Sequence, residues 1–311
     1  MKKISIVAPV FNESDNLPEF FRRMAIVLDA IAYDTEVIIV DDGSSDESLT
    51  LAKKQSLTDR RFKTISFSRN FGHQSAILAG ITHSSGEAVI IMDSDLQDPP
   101  ELIPDLIAKW NSGVDVVHAQ RVERRGESRF KKASAIAFYR FIDWMSDTTL
   151  PRNVGDFRLM DRCVVDVLLG LSEKSLYLRG MVAWVGFKQD VVSFDRDPRY
   201  AGETKYSFSK MSNLALDALL SFSDRPLRVL MQLGLLITSF SFILILFFLT
   251  SLFLGSGSPE RGWLSIVLIS LFLGGIQLLC LGVLGEYIGR IYREAKNRPL
   301  FIVDHRNSDC E

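Results

Sequence analysis

The chain has 311 residues, a length typical of about two domains. It carries 36 Lys and Arg against 38 Asp and Glu, and the net charge of −2 excludes a generally basic nucleic-acid-binding protein. Its 24% charged and 47% hydrophobic residues exclude a disordered chain. The three cysteines are widely spaced, so they predict neither a disulfide framework nor a CxxC metal pair.

Short apolar runs alternate with stretches of helical spacing over the first 120 residues. The predicted strands are 4–10, 36–40, 62–67, 88–92 and 114–119, and the predicted helices are 16–32, 46–57, 74–82 and 100–111. This alternation predicts βαβ units, and therefore an α/β fold with a mostly parallel sheet.

Polar residues follow four of these strands. They are Asn12, Glu13 and Ser14 after the first, Asp41 and Asp42 after the second, Asp93, Ser94 and Asp95 after the fourth, and Arg121 after the fifth. Ligands of parallel sheets bind at the carboxyl ends of the strands, so we expect a site there. The first strand is not followed by GxGxxG and the chain has no GxxxxGK[ST], which argues against dinucleotide oxidoreductases and P-loop proteins.

Residues 93–100, DSDLQDPP, form the most informative cluster. Two carboxylates at the end of a buried strand are costly unless a cation neutralises them, and oxygen ligands suit Mg²⁺ or Mn²⁺ holding a diphosphate. The alternative is an acidic turn without a metal. Asp41 or Asp42 is placed to accept a hydrogen bond from a base N–H, and Asp93 to accept from ribose or sugar hydroxyls.

Five segments together carry a resemblance to a known family. They are 10–13 (VFNE), 40–46 (VDDGSSD), 68–72 (SRNFG), 93–100 (DSDLQDPP) and 155–160 (GDFRLM). The set resembles the family-2 glycosyltransferases of GT-A fold, and among them the polyisoprenyl-phosphate glycosyltransferases related to dolichol-phosphate mannose synthase. The segments 285–292 (GEYIGRIY) and 297–299 (NRP) resemble the bacterial two-span branch that includes the bactoprenol glucosyltransferases.

The resemblance implies roles for individual residues. The donor-binding residues are Pro9, Val10, Asn12, Glu13, Asp41, Asp42, Asp93 and Ser94; the residues binding Mg²⁺ or Mn²⁺ are Asp95 and Gln97; those binding the acceptor phosphate are Arg121, Arg125, Arg199 and Lys205. Asp156 stands where related enzymes place a general base, so Asp156, Asp93 and Arg121 form the implied catalytic set.

Asp156 has a second interpretation on chemical grounds. A lipid phosphate carries a charge of about −1.5 to −2 at pH 7 and needs little deprotonation to attack a sugar. We therefore expect Asp156 to orient Arg121 or the sugar more than to remove a proton; the alternative is a structural cap before a helix. The basic stretch 121–132 suits the acceptor phosphate or anionic lipid, or is a solvated loop.

Two stretches near the C-terminus contain no charged residue, 229–254 and 263–285. As helices they measure about 39 and 34 Å, enough to cross a hydrocarbon core of about 30 Å. The flanking cations are Arg225, Arg228, Arg290, Arg293, Lys296 and Arg298. The positive-inside rule therefore predicts two transmembrane helices with both termini cytoplasmic and the loop 255–262 outside.

The predicted organisation has four parts. A cytoplasmic GT-A catalytic domain spans 1–206, an amphipathic juxtamembrane helix 207–225, the two transmembrane helices 226–290, and a cytoplasmic tail 291–311. The mixed basic and aromatic segment 129–146 is a second interface helix by the same pattern. The alternative for both amphipathic segments is a surface helix packed on the domain.

The expected function is transfer of one sugar from a nucleotide-diphosphate donor, UDP-glucose being favoured, to polyprenyl (undecaprenyl) phosphate at the bacterial inner membrane, with inversion. The alternatives are a processive polysaccharide synthase, whose QxxRW motif Trp184 does not supply, and a non-catalytic membrane scaffold. We expect no nucleic-acid partner. Small residues at Gly274, Gly275 and Gly282 favour a homo-oligomer. The four histidines show no metal-ligand spacing and are expected to be structural.

Overall fold

The computed structural model describes residues 2–122, 154–195 except 172 and 174–176, isolated residues between 227 and 250, and 262–309. The strands are β1 (Lys3–Val10), β2 (Asp34–Asp41), β3 (Phe62–Ser66), β4 (Ala88–Ile91), β5 (Val116–Arg121), β6 (Val154–Asp161) and β7 (Gln189–Phe194). The helices are α1 (Leu17–Ala30), α2 (Ser48–Thr58), α3 (His73–Thr82), α4 (Ile103–Asn111), α5 (Arg162–Gly170), α6 (Leu178–Trp184) and α7 (Trp263–Ala295). A short 3-10 turn, Pro100–Leu102, precedes α4.

The strands form one seven-stranded sheet in the order β3-β2-β1-β4-β6-β5-β7. Every neighbouring pair is parallel except those made by β6, which runs antiparallel to both β4 and β5. The predicted α/β fold with a mostly parallel sheet is confirmed. The sequence analysis assigned no element to β6 or β7, and β6 inserts in the middle of the sheet.

Helices cover both faces of the sheet, which explains why its strands are continuous apolar runs. Along β2, Ile39 packs into the core beneath α1 and α4, whereas Ile38 packs into the core beneath α3 and α5. Successive strand residues point to opposite faces, so a run such as Ile38-Ile39-Val40 is buried throughout. Because helices cover both faces, a ligand is expected to bind at the edge formed by the carboxyl ends of the parallel strands.

The C-terminal tail covers the free edge of the sheet at β3. The backbone amides of Asp304 and Asp309 donate to the carbonyls of Ser66 and Thr64 at 2.8 and 2.7 Å. Phe301 stacks on Phe67 with ring centroids 5.2 Å apart. An unpaired edge strand exposes backbone donors and acceptors, and the tail satisfies them here. The sequence analysis treated 291–311 only as a tail and did not predict this docking.

Replacing Phe301 with alanine is expected to lower the free energy of unfolding by about 1–3 kcal/mol, because the change removes a half-buried aromatic side chain. Thermal unfolding followed by circular dichroism measures it. Ile302→Ala is the matched control: its side chain is 51% exposed, and its carbonyl still accepts from Ser68. Equal losses in the two variants would contradict a packing role for the Phe301 ring.

Among the described residues, one helix is long and apolar enough to cross a membrane. The stretch is Phe272–Ala295 within α7, with a mean hydropathy of 1.5 in its most apolar window. The second predicted span, 263–285, lies in this helix, which continues ten residues further to Ala295. Of the first predicted span, 229–254, only isolated helical residues are described, so two transmembrane helices are not confirmed.

Candidate active site

Two loops meet at the carboxyl ends of β1 and β2. The amide of Asn12 donates to Ser44 Oγ at 3.0 Å, and Asn12 Oδ1 accepts from the amide of Ser45 at 2.8 Å. Asn12 has φ 54°, a left-handed conformation that asparagine tolerates better than most residues. Glu13 follows, its amide donating to Ser48 Oγ at 2.9 Å. These contacts bring the predicted donor-binding turn after β1 beside the acidic pair after β2.

Both carboxylates of that acidic pair are buried and hydrogen-bonded within the protein. Asp42 accepts from the amides of Phe71 and Gly72 at 2.6 and 2.9 Å. Asp41 has longer contacts, 3.3 Å from the amide of Ser44 and 3.3 Å from Ser66 Oγ. Burial raises the pKa of Asp41 and of Asp42 despite these bonds. Asp42 therefore anchors the 71–72 turn, and a contact of either carboxylate with a base remains a prediction.

The acidic loop, residues 93–98, follows β4. Ser94 is buried and donates to the carbonyl of Pro9 at 3.0 Å, so its hydroxyl joins the loop to the end of β1, whose Pro9 and Val10 are also buried. Asp95 Oδ1 accepts from the amide of Gln97 at 3.1 Å. Burial, together with the nearby carboxylates, raises the pKa of Asp93, and that of Asp98 to about 7.

The acidic loop fits a divalent cation. Asp93 Oδ1 and Asp98 Oδ2 are buried and accept no hydrogen bond from the described residues. No group of three His, Cys, Asp or Glu side chains in the described part of the chain holds a metal by itself. Mg²⁺ typically takes one or two protein carboxylates and completes its coordination shell with water and substrate phosphates. A loop that supplies only part of a coordination shell agrees with this preference.

Arg121, at the end of β5, lies on the acidic loop. Its Nη2 is 3.4 Å from Oδ1 of Asp98, whose side chain is only 1% exposed. A Cβ on Gly155 would lie 3.0 Å from the same Arg121 nitrogen, so the guanidinium rests against the bare backbone of β6. Asp98 was not among the sequence-predicted site residues, although it stands within the DSDLQDPP segment.

Asp156 lies inside β6 and faces four side chains. Its Oδ2 is 3.4 Å from His73 Nε2 and 3.3 Å from Gln74 Nε2. Its Oδ1 is 3.2 Å from Arg158 Nη2 and 3.5 Å from Arg179 Nη2. Burial opposes ionisation, but the His73 hydrogen bond and the two guanidinium charges outweigh it and hold the pKa of Asp156 well below its usual range.

Two expectations for Asp156 are therefore corrected. It does not cap a helix, because it is a strand residue; Asp161 caps α5 instead, its side chain accepting from the amide of Cys163 at 2.9 Å. Nor does it orient Arg121 by an ion pair within the described part of the chain, where the Arg121 guanidinium pairs with Asp98 instead. In the sheet, β6 lies between β4, which is followed by Asp93, and β5, which ends at Arg121; Asp156 faces His73, at the start of α3, which also contacts Asp93.

Three basic side chains around Asp156 were missed by the sequence reasoning. They are His73, Arg158 and Arg179. Arg158 is 1% exposed, and burial lowers its pKa to about 10. Burial, with the positive charge of Arg158, also lowers the pKa of nearby His118 to about 4. The available signal was the proximity of His73 to the SRNFG segment and of Arg158 to Asp156 in GDFRLM.

Several predicted features lie outside the described residues. These are Arg125, Arg199, Lys205, and the amphipathic segments 129–146 and 207–225. Their predicted roles stay predictions. Of the predicted acceptor-phosphate residues, Arg121 is the one that the structure describes.

The family model described as Glycosyl transferase family 2 matches residues 5–169, which contain the whole acidic loop and Asp156. The chain belongs to glycosyltransferase family 2. The resemblance carried by the sequence segments is thereby confirmed. The family match ends at residue 169, and the chain continues with α6, β7, α7 and the docked tail.

Relatives match this family-2 glycosyltransferase over nearly its full length. The uncharacterized glycosyltransferase YkcC of Bacillus subtilis is 48% identical, over 96% of this chain and 92% of the relative. The SfII prophage-derived bactoprenol glucosyl transferase of Shigella flexneri is 43% identical, over 98% of this chain and 99% of the relative. The crystal structure of glucosyl-3-phosphoglycerate synthase from Mycobacterium tuberculosis aligns with TM-score 0.49 and 20% identity, over 71% of this chain and 79% of that one.

Proposed function

We propose that this protein moves one glucose from UDP-glucose to a polyprenyl phosphate, undecaprenyl phosphate in a bacterial inner membrane, with inversion at the anomeric carbon. The observation that carries the proposal is the opposition of charge across the site. The carboxylates of the acidic loop form one side, and the Arg121 guanidinium, 3.4 Å from Asp98, forms the other together with Arg158 and Arg179 beside Asp156. A cation-bound diphosphate suits the first side and an anionic acceptor the second. The printed name of the Shigella relative supports both the sugar and the lipid.

On the donor side, the turns after β1 and β2 hold the nucleotide. Asn12 and Glu13 lie beside it, and the buried pair Asp41 and Asp42 contacts its nucleobase. Asp93 accepts hydrogen bonds from sugar or ribose hydroxyls. Asp95 and Gln97 would hold Mg²⁺ or Mn²⁺, which when bound offsets the charge of the departing diphosphate. The raised pKa of Asp93 and of Asp98 supports a cation there. Burial and the neighbouring carboxylates disfavour their charged forms, and a bound cation would offset both effects.

On the acceptor side, Arg121 binds the lipid phosphate, with Arg125, Arg199 and Lys205 as further ligands. Asp98 holds the Arg121 guanidinium in place. A phosphate oxygen attacks the anomeric carbon opposite the leaving group; the new carbon–oxygen bond forms as the bond to the diphosphate breaks, and UDP leaves. The low pKa of Asp156 supports an orienting role, because a carboxylate this acidic is a weak proton acceptor.

The docked tail supports a two-span topology. Residues 304–309 bond to β3 in the catalytic sheet, so the end of α7 and the catalytic domain lie on the same side of a membrane. If α7 crosses once, a second crossing must lie between β7 and α7, where the uncharged stretch 229–254 stands. By the positive-inside rule, Arg225 and Arg228 before the first stretch and Arg290 and Arg293 near the end of α7 support a cytoplasmic location for that common side. A homo-oligomer and interface helices at 129–146 and 207–225 belong to the same proposal.

The test is an assay with purified protein in lipid, undecaprenyl phosphate, Mg²⁺ or Mn²⁺, and a panel of labelled nucleotide sugars. We expect a chloroform-soluble product carrying a single glucose, abolished by EDTA. Asp95→Asn is expected to lower its formation by about 100-fold or more, since a metal contributes several kcal/mol to such steps. Asp105→Asn, on the exposed side of α4, is the matched control.

Two results of this assay would contradict the proposal. If the folded protein yields no lipid-linked product from any donor, the acceptor assignment is wrong, and a different acceptor or the scaffold alternative gains weight. Products with several sugars per lipid would instead favour a processive synthase.

A further inference from the structure

His73 occupies the point where two strands bring their carboxylates together. Its Nε2 lies 3.5 Å from Oδ1 of Asp93, which follows β4, and 3.4 Å from Oδ2 of Asp156 on β6. One imidazole nitrogen therefore faces both the side of the site proposed to bind the donor and the side proposed to bind the acceptor. The sequence analysis had given this histidine only a structural role.

The backbone, rather than packing of the ring, places His73 there. Gly72 has φ +100°, a conformation that L side chains rarely adopt, and it turns the chain into α3. The carboxylate of Asp42 holds this turn by accepting from the amides of residues 71 and 72. Gln74, the next residue, donates to Asp156 and accepts from the amide of Leu178. The position of His73 is thus tied to β2, β6 and the start of α6.

The carboxylates of Asp93 and Asp156 flank the His73 ring, and a positive group between them lowers their repulsion. Like charges repel, and Asp93 and Asp156 both lie within 3.5 Å of the same imidazole nitrogen. The imidazole supplies a hydrogen bond to Asp156 and, when protonated, a positive charge to both carboxylates, with Asp93 Oδ1 3.5 Å from Nε2. The hydrogen bond to Asp156 and the negative charges of Asp93, Asp156 and Asp42 outweigh burial and raise the pKa of His73 to about 9.

We propose that His73 is a positioning residue, which holds Asp93 and Asp156 at a fixed separation so that donor and acceptor meet in line. The proposal rests on the proposed function for its substrates. His73 takes no proton in the reaction and touches neither substrate. Its side chain is 44% exposed, so packing contributes little to its placement.

Two substitutions at His73 separate bridging from packing. His73→Gln keeps an N–H donor near the position of Nε2, whereas His73→Phe keeps a ring of similar size and loses the donor. His83→Gln is the matched control, because His83 stands at the opposite end of the same helix and its ring contacts the carbonyl of Ala79 at 2.8 Å. All variants are made in the full chain and compared in the same lipid.

For His73→Phe, kcat for transfer to undecaprenyl phosphate is expected to fall about 30-fold and the UDP-glucose Kd, measured by calorimetry with Mn²⁺ and no acceptor, to rise about fivefold. His73→Gln is expected to recover most of both losses, and His83→Gln to match the wild type. In an Asp156→Asn background, His73→Phe should cost no further activity, because the bridge is already broken.

The outcomes distinguish this inference from the proposed function. If the wild type forms no lipid product, the acceptor is wrong, and the donor Kd of His73→Phe still decides the bridge. Wild-type kcat and donor affinity in His73→Phe would overturn the inference. So would equal losses in the Phe and Gln variants accompanied by a lower melting temperature, the signature of a packing role.

Discussion

Asp156→Asn is expected to lower kcat for sugar transfer by about 100- to 1,000-fold, the scale of losing one preorganised charge in an active site. The carboxylate is the shared partner of His73, Gln74, Arg158 and Arg179. A neutral amide leaves the buried Arg158 without its anion and presents a donor where only an acceptor fits. Transfer of labelled glucose to undecaprenyl phosphate measures the loss.

The pH dependence of this loss tests the orienting role. Because the pKa of Asp156 is held well below its usual range, the wild type carries the charge at every pH from 6 to 8. Asp156 itself should therefore add no pH dependence to the ratio of wild-type to Asp156→Asn rates over that range. Asp156→Glu is the companion variant: it keeps the charge and the melting temperature but moves the carboxylate by one methylene, and it should lose activity too. An Asn variant within threefold of the wild type would contradict the assignment.

Glu36→Gln is expected to have the largest effect on stability, about 2–3 kcal/mol. Glu36 is 2% exposed and accepts from Lys3 Nζ at 2.9 Å and Lys63 Nζ at 2.8 Å. Its other oxygen accepts from Ser5 Oγ at 2.7 Å and from the amide of Ser85 at 2.8 Å. This network joins β1, β2, β3 and the turn before β4, so the loss should lower the melting temperature by about 5–10 °C.

The sign of the pH effect follows from the same bonds. Burial favours the neutral acid, but the lysines, Ser5 and the Ser85 amide outweigh it and depress the pKa of Glu36. A depressed pKa stabilises the fold above the ordinary carboxyl range, and the contribution is lost as pH falls below it. The gap between wild type and Glu36→Gln should therefore narrow from pH 5 to pH 3. Glu87→Gln is the control, since within the described residues the Glu87 carboxylate makes an exposed pair with Lys2 at 3.8 Å. A gap that widens in acid would contradict the network.

The first half of the fold was predictable because its signals are local. Each strand from β1 to β5 contains a short apolar run, and polar residues of the site stand at the ends of β1, β2, β4 and β5. β6 gave no such signal, since VGDFRLMD mixes polar and apolar residues. Its antiparallel place, with Ile91 opposite Arg158, depends on pairing with strands distant along the chain. The docking of the tail on β3 escaped prediction for the same reason.

The sequence by itself determined the family, the alternation that makes a mostly parallel sheet, the carboxylates at the strand ends, and the apolar helix near the C-terminus. Only the tertiary structure decided which charges meet: Arg121 with Asp98, and His73 with both Asp93 and Asp156. The physical reason is range. Periodicity and turn chemistry act over a few residues and are written in the order of the chain, whereas an ion pair depends on distance in space, which the order of strands in the sheet sets.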